Sequence, residues 1–173
     1  MGHGTGILGA VSGGRYDARM SYTIERRFPV SPERLFRALT EPADLVAWIW
    51  GPYGRDVRAT VDLVVGGQFQ VTTNVAGRGW GRDVAGMRGV YAEIRPPTHL
   101  VHTLHWDAPV GYNAPGMDPV DEVVVVDIEP DPAGARIVYT HLGIPDDGVS
   151  AAEHQRSVHV TFDLLERHLA ANP

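Results

Sequence analysis

Near its C-terminus the chain carries apolar residues at intervals of three and four, which is the spacing of one face of an α-helix. Ser150 and Glu153 fit the N-cap and N3 positions of a capping box, which predicts where this helix begins. Such an apolar face must be buried, and we expect it to pack against a β-sheet. The face consists of Ala151, His154, Val158, Phe162, Leu165 and Leu169.

Alternating apolar and polar residues before this helix predict a series of β-strands. Turns rich in glycine and proline, such as Gly66-Gly67 and Pro96-Pro97, separate them. Because the connections are short, we expect an antiparallel meander rather than β-α-β units. The predicted strands cover residues 22–28, 58–64, 68–74, 87–95, 100–106, 122–130 and 136–142.

Two short helices are predicted after the first strand. Ser31 is a favourable N-cap, Pro32 suits the first helical position, and Glu33 favours the positive end of the helix dipole. The second helix begins near Pro42 and ends before Gly51-Pro52. Its apolar residues are Leu45, Val46 and Trp48. Together these elements predict an α+β fold.

Length and composition predict one domain and exclude several kinds of chemistry. Residues 1–20 are rich in glycine and lack periodicity, so we expect a flexible extension before a single domain at 21–171. The chain has no cysteine, which excludes disulfides, zinc–thiolate sites and a thiol nucleophile. All 15 basic residues are arginine, so Schiff-base chemistry and a phosphate loop that needs lysine are excluded too.

Charge and hydropathy predict where the protein acts. A net charge of -6 argues against a general nucleic-acid partner. No segment approaches the roughly 20 apolar residues of a membrane span, and no secretory signal is present at the N-terminus. We therefore expect a cytoplasmic protein without a membrane or nucleic-acid partner.

Several short motifs occur along the chain in an order that is typical of a known family. Trp48-Ile49-Trp50-Gly51-Pro52 comes first, Gly66-Gly67 follows, residues 89–97 read Gly-Val-Tyr-Ala-Glu-Ile-Arg-Pro-Pro, and Thr140-His141-Leu142-Gly143 closes the series. This order resembles the activator-of-Hsp-ninety-ATPase homology family, in its stand-alone bacterial-type branch. The family lies within the START-like superfamily, also called SRPBCC or birch-pollen-allergen-like. The resemblance covers residues 21–171 and implies a helix-grip fold, in which a curved antiparallel sheet wraps around the long C-terminal helix.

In relatives of this kind, the concave face of the sheet binds small hydrophobic or aromatic molecules. Strand alternation places Leu100, His102, Leu104 and Trp106 on one face, which we expect to point at the helix. The alternative is that these side chains fill the space as packed core. The residues predicted to contact a ligand are Trp50, Phe69, Val71, Tyr91, His102, Leu104, Trp106, Tyr112, Tyr139, His141, Val158 and Phe162. Tyr112 lies at the centre of a long loop that we expect near the cavity mouth.

His102, His141 and Tyr112 are the candidates for acid–base catalysis, although each also has a plain structural interpretation. His102 stands where relatives carry an aromatic or aliphatic residue, whereas His141 and His154 match histidines that are frequent in the family. The even spacing of His99, His102 and His105 suggests a metal site. On a strand, however, His102 and His105 point to opposite faces, so we expect no metal and no cofactor.

Three functions remain open from the sequence. The leading hypothesis is a binder of a small hydrophobic ligand without catalysis. The alternative is an enzyme of the polyketide aromatase/cyclase or hydrolase type, and the third is an Hsp-ninety co-chaperone that activates its ATPase. Relatives are often homodimers and an antiparallel sheet can expose an edge strand, so the resemblance also implies a homodimer.

Overall fold

The computed structural model describes residues 19–79, 81–107, 122–145 and 150–173. Within these residues the chain forms seven strands, three α-helices and one 3₁₀ turn. In chain order they are β1 (Arg19–Phe28), α1 (Pro32–Thr40), α2 (Pro42–Trp48), the 3₁₀ turn Gly51–Tyr53, β2 (Arg58–Val61), β3 (Gln68–Asn74), β4 (Val84–Arg95), β5 (His99–Asp107), β6 (Glu122–Asp131), β7 (Gly134–Pro145) and α3 (Ser150–Ala171). Most of the predicted N-terminal extension, residues 1–18, lies outside the described residues.

All seven strands belong to one antiparallel sheet in the order β1-β7-β6-β5-β4-β3-β2. Strands β2 to β7 form the predicted meander, and β1 pairs with β7 at the far edge. The sheet packs against α3, and α1 and α2 follow β1 directly. The prediction of an α+β helix-grip fold is therefore confirmed.

Local chemistry explains how the two short helices begin and end. The hydroxyl of Ser31 accepts a hydrogen bond from the backbone N–H of Arg34 at 3.2 Å, which confirms the predicted N-cap. The turn after α2 depends on Gly51, whose φ is +46°, a conformation that favours glycine. A Cβ atom at this position would lie 2.6 Å from Cδ2 of Leu164. The absence of a side chain thus lets the turn pack closely on α3.

Helix α3 is fixed to the rest of the fold by apolar burial and by ion pairs. Phe162, Leu165 and Leu169 are buried against the core, as the sequence predicts. On β1, Arg26 forms ion pairs with Asp163, at 2.7 Å, and with Glu166. These ion pairs fix the middle of α3 to β1.

A second polar contact joins the C-terminal end of α3 to α1 and α2. The guanidinium group of Arg34 makes two parallel hydrogen bonds to the carboxylate of Asp44, at 3.0 and 3.1 Å. Nε2 of His168 lies 2.5 Å from Oδ1 of Asp44. The three side chains are only 10%, 14% and 11% exposed, so this network is largely shielded from water.

The bounds of several elements differ from the prediction: β1 begins at Arg19, inside the predicted extension 1–20, β4 begins at Val84 and β7 ends at Pro145. Strand β2 ends at Val61 rather than at residue 64, because the backbone N–H of Asp62 donates to Gln68 and the chain then turns back. Val46 is 38% exposed, since α2 presents only Leu45 and Trp48 to the core. Helix α3 begins at Ser150 itself, one residue earlier than its predicted role as N-cap requires. None of the helices in the described part of the chain is long and apolar enough to cross a bilayer.

Candidate functional site

A cavity of about 490 Å³ lies between the concave face of the sheet, α2 and α3. This volume falls within the range of about 300–1,000 Å³ that is typical of small-molecule sites. The wall is mostly apolar. At the rim, Tyr53 and Val160 are 64% and 48% exposed, and Nη2 of Arg78 donates a hydrogen bond to the backbone oxygen of Tyr53 at 2.8 Å. These residues mark the mouth of the cavity.

Strand alternation explains most of the wall. Leu100, His102, Leu104 and Trp106 all face the cavity from β5, as the sequence predicts. Trp50 enters from the turn after α2, and its ring packs edge-on against Trp106 with ring centroids 6.0 Å apart. Further wall residues come from β3, β4, β6, β7 and α3, and they include Phe69, Val71, Thr73, Met87, Tyr91, Val126, Ile137, Tyr139, Val158 and Phe162.

His102 is the polar group at the centre of this wall. Its Nδ1 lies 2.9 Å from the carbonyl oxygen of Thr103, and because a carbonyl can only accept, Nδ1 carries the proton. The ring packs edge-on against Phe69 and Tyr91, with ring centroids 4.9 and 6.2 Å away. Burial is the main cause that lowers the pKa of His102 to about 4; the nearby His141 acts in the same direction, and the hydrogen bond to Thr103 opposes both. At neutral pH the imidazole is therefore uncharged, and Nε2 offers a lone pair.

The wall also holds neutral hydrogen-bond donors. The indole N–H of Trp50 is buried and has no hydrogen-bond partner among the described residues. Burial raises the pKa of Tyr91 to about 12 and raises that of Tyr139 well above its ordinary value. Both hydroxyls therefore stay protonated at neutral pH. A buried N–H donor without a partner is costly, which makes Trp50 a candidate contact for a bound molecule.

The predicted ligand-contacting residues all line this cavity except His141 and Tyr112. Tyr112, with the loop around it, lies outside the described residues. Contact of these side chains with a ligand stays a prediction.

His141 lies two residues after Tyr139 on β7 but does not line the cavity, and its contact with a ligand stays a prediction. The side chain is buried, with 2% of it exposed. Its Nδ1 lies 3.1 Å from the hydroxyl oxygen of Tyr22, and its Nε2 lies 2.8 Å from Oε2 of Glu122. The protein itself therefore provides a hydrogen-bond partner for each ring nitrogen.

Sequence reasoning missed a cluster around this histidine. Glu122, His141 and His154 each place one potential metal-ligating atom within 4.8 Å of the other two. The only signal for it in the sequence is that His141 and His154 both match histidines frequent in the family. By contrast, the evenly spaced histidines His99, His102 and His105 do not come together at one site. His99 lies 2.6 Å from Asp127, His105 lies 3.6 Å from Asp107, and only His102 faces the cavity.

A curved antiparallel sheet that grips a long C-terminal helix over a cavity defines a START-like helix-grip protein. The family model described as Activator of Hsp90 ATPase homolog 1-like protein matches residues 29–170. The chain therefore belongs to this family. A comparison with the curated proteins gave no significant match.

Solved structures of proteins from several bacteria share the fold. A protein from Rhodobacter sphaeroides matches with a TM-score of 0.71 at 22% identity, over 88% of this chain and 93% of that one. A protein from Rhizobium leguminosarum matches with a TM-score of 0.70 at 17% identity, over 90% and 97% of the two chains. The AHSA1-like protein from Aeromonas hydrophila gives a TM-score of 0.64 at 21% identity, over 88% and 93%. At these identities the likeness establishes the fold alone.

Proposed function

We propose that the protein binds a small, mostly hydrophobic and aromatic ligand in the cavity between the sheet and α3. The observation that supports this most directly is the combination of a cavity of about 490 Å³ with an apolar wall and a buried indole N–H of Trp50 that lacks a partner among the described residues. Sites for small molecules typically have such a wall, with a few polar groups that fix orientation.

The wall favours a ligand whose buried part is uncharged. Among the described residues that line the cavity, the one permanently charged side chain is Arg78, and it lies at the exposed rim. His102 is neutral at pH 7 because burial lowers its pKa to about 4. A charged group deep in the cavity would thus lose its hydration without a counter-charge, which is costly. An acidic group would instead remain at the mouth, beside Arg78.

The polar groups also suggest an orientation. Nε2 of His102 is an acceptor and calls for a donor on the ligand, such as a phenolic hydroxyl. The indole N–H of Trp50 calls for an acceptor. Trp50 packs edge-on against Trp106, and His102 packs edge-on against Phe69. These rings support the proposal of an aromatic ligand, which could pack against them in the same way. A hydroxylated aromatic compound fits both requirements.

The first test fills the cavity. Leu104 is 6% exposed and lines the wall, so Leu104→Trp should occupy the space that a ligand needs. We expect 1-anilinonaphthalene-8-sulfonate to bind the wild-type protein and to quench emission from Trp50 and Trp106, which also line the cavity. Leu104→Trp should abolish both effects.

Val90→Trp is the matched control, because Val90 is 38% exposed on β4 and does not line the cavity. It adds the same indole and should leave probe binding unchanged. If the filled variant folds and binds the probe as well as the wild type does, the cavity is not a binding site. Native mass spectrometry of the purified protein would then show whether another ligand is retained.

A second test concerns His102. His102→Phe removes the acceptor and keeps an aromatic ring, so the wild type should bind 2-naphthol more tightly than naphthalene and the variant should not distinguish them. A net hydrogen bond of about 0.5–1.5 kcal/mol corresponds to a preference of about two- to twelvefold. Because the pKa of His102 is about 4, the preference should be constant between pH 6 and 8 and should vanish as Nε2 gains a proton near pH 4.

Isothermal titration of both compounds against both proteins measures this preference. An equal preference in His102→Phe would show that His102 does not contact the hydroxyl. The lowered pKa that makes His102 an acceptor also disfavours it as a catalyst at neutral pH. An efficient acid–base group has a pKa near the working pH, whereas the pKa of His102 is about 4. Turnover of a bound aromatic substrate that disappears in His102→Phe would instead support the enzyme hypothesis.

A further inference from the structure

We propose that Glu122, His141 and His154 form a binding site for a divalent transition-metal ion, of which Zn²⁺ is the test case. The site is separate from the ligand cavity, because none of the three residues lines it. It joins the beginning of β6, the end of β7 and the first turns of α3. The inference does not depend on the proposed function.

The geometry already brings the three ligands together. Their potential donor atoms all lie within 4.8 Å of one another, and Nε2 of His141 is 2.8 Å from Oε2 of Glu122. The rings of His141 and His154 have centroids 5.3 Å apart. An ion held at about 2.0–2.2 Å by each ligand keeps the donor atoms roughly 3–3.5 Å apart. Small side-chain rotations would therefore close the site around one ion.

Electrostatics favours a cation at this point. The side chain of Glu122 is 3% exposed, and an ionised carboxylate in the interior is costly unless it is paired. Among the described residues its ion-pair partner is the imidazole of His141. A divalent ion bound to Glu122 would pair this buried carboxylate with two positive charges. Two imidazoles and one carboxylate are ligands that suit Zn²⁺ and its neighbours rather than Ca²⁺ or Mg²⁺.

Tyr22 provides the outer support that metal-binding histidines usually have. Its hydroxyl lies 3.1 Å from Nδ1 of His141, on the side of the ring opposite Glu122. With an ion on Nε2, the proton of the neutral imidazole would move to Nδ1 and be donated to the oxygen of Tyr22. Such partners fix the orientation and tautomer of the ligand. Three protein ligands also leave a fourth position on the ion open to water.

The test is a calorimetric titration of the full-length, tag-free, chelator-treated protein with Zn²⁺. We expect one ion per chain and an increase in melting temperature with Zn²⁺ concentration. Glu122→Gln and His154→Ala should each weaken binding at least tenfold. His159→Ala is the control on the same helix, because His159 is exposed and outside the cluster. It should bind Zn²⁺ like the wild type.

Two further measurements keep the proposal testable if a variant fails to fold. Co²⁺ bound to the wild type should give the strong visible absorption of four- or five-coordinate cobalt, which Zn²⁺ should remove by competition. Tyr22→Phe should weaken Zn²⁺ binding about tenfold or more. Only the weak absorption of hydrated Co²⁺, or equal Zn²⁺ affinity in Glu122→Gln, His154→Ala and His159→Ala, would overturn the site.

Discussion

A chain that ends after Gly148, before α3, should lose its cooperative thermal unfolding. The deletion removes Phe162, Leu165 and Leu169, which are 3%, 0% and 1% exposed in the folded protein. Each such side chain contributes about 1.5–3 kcal/mol when buried, or about 5–9 kcal/mol for the three. This is comparable to the total stability of about 5–15 kcal/mol that is typical of a domain. The concave face of the sheet would also lose its cover.

Two point variants in α3 test whether the loss of stability comes from the buried side chains of this helix. Leu165→Ala should lower the free energy of unfolding by about 2–5 kcal/mol, because it leaves a cavity at a fully buried position. Val160→Ala removes an exposed side chain from the same helix and should change stability by no more than about 0.5 kcal/mol. Urea unfolding followed by circular dichroism measures both. A truncated protein that still melts cooperatively near the parental temperature would contradict the role of α3 in the fold.

The network around Asp44 should produce the second large effect. Asp44→Ala leaves the guanidinium group of Arg34 without its carboxylate in a site where both side chains are less than 15% exposed. Breaking one partner of such a shielded pair costs about 3 kcal/mol. The C-terminal turn of α3 should loosen as well, because His168 loses its contact at 2.5 Å. Amide hydrogen exchange near His168 should therefore become faster in the variant.

The same network predicts how stability changes with pH. Burial by itself raises the pKa of Asp44, but the hydrogen bonds from His168 and Arg34 outweigh it and hold that pKa below its usual value. A carboxyl group with a lowered pKa in the folded state stabilises the fold fully above its unfolded pKa, near 4. This contribution is lost as the pH falls through the folded pKa.

Acid unfolding of the isosteric variant checks this prediction. The stability of Asp44→Asn should fall less steeply below pH 4 than that of the wild type. The exposed residue Asp62 provides the control, and Asp62→Asn should reproduce the wild-type curve. If the stability of Asp44→Asn and of the wild type fell equally below pH 4, the Asp44 carboxylate would make no net contribution to folding stability.

The sequence alone determined the features that depend on residues close together along the chain. Ser31 caps α1 because a hydroxyl at this position reaches a backbone N–H three residues ahead. Leu100, His102, Leu104 and Trp106 share one wall because successive side chains of any strand alternate between faces. The order and type of the secondary-structure elements follow from such local rules. The helix-grip architecture follows once the family motifs are taken into account as well.

Predictions that depend on the partners of a residue were less successful. Leu45, Val46 and Trp48 are all apolar residues of α2, but the packing of the helix buries the first and last and leaves Val46 exposed. His141 lies on the predicted face, yet Glu122 and Tyr22 satisfy its nitrogens outside the cavity. Neither outcome can be derived from periodicity, because periodicity specifies a face and not which side chain from another element covers it.

Only the tertiary structure decided which polar groups meet. The register that pairs Val124 with His141 places Glu122 near this imidazole, and α3 then brings His154 over both. The buried indole N–H of Trp50 likewise has no counterpart in a sequence pattern. Register and helix placement result from burial summed over the whole sheet, so contacts between distant segments are not determined by the local preferences that a sequence displays.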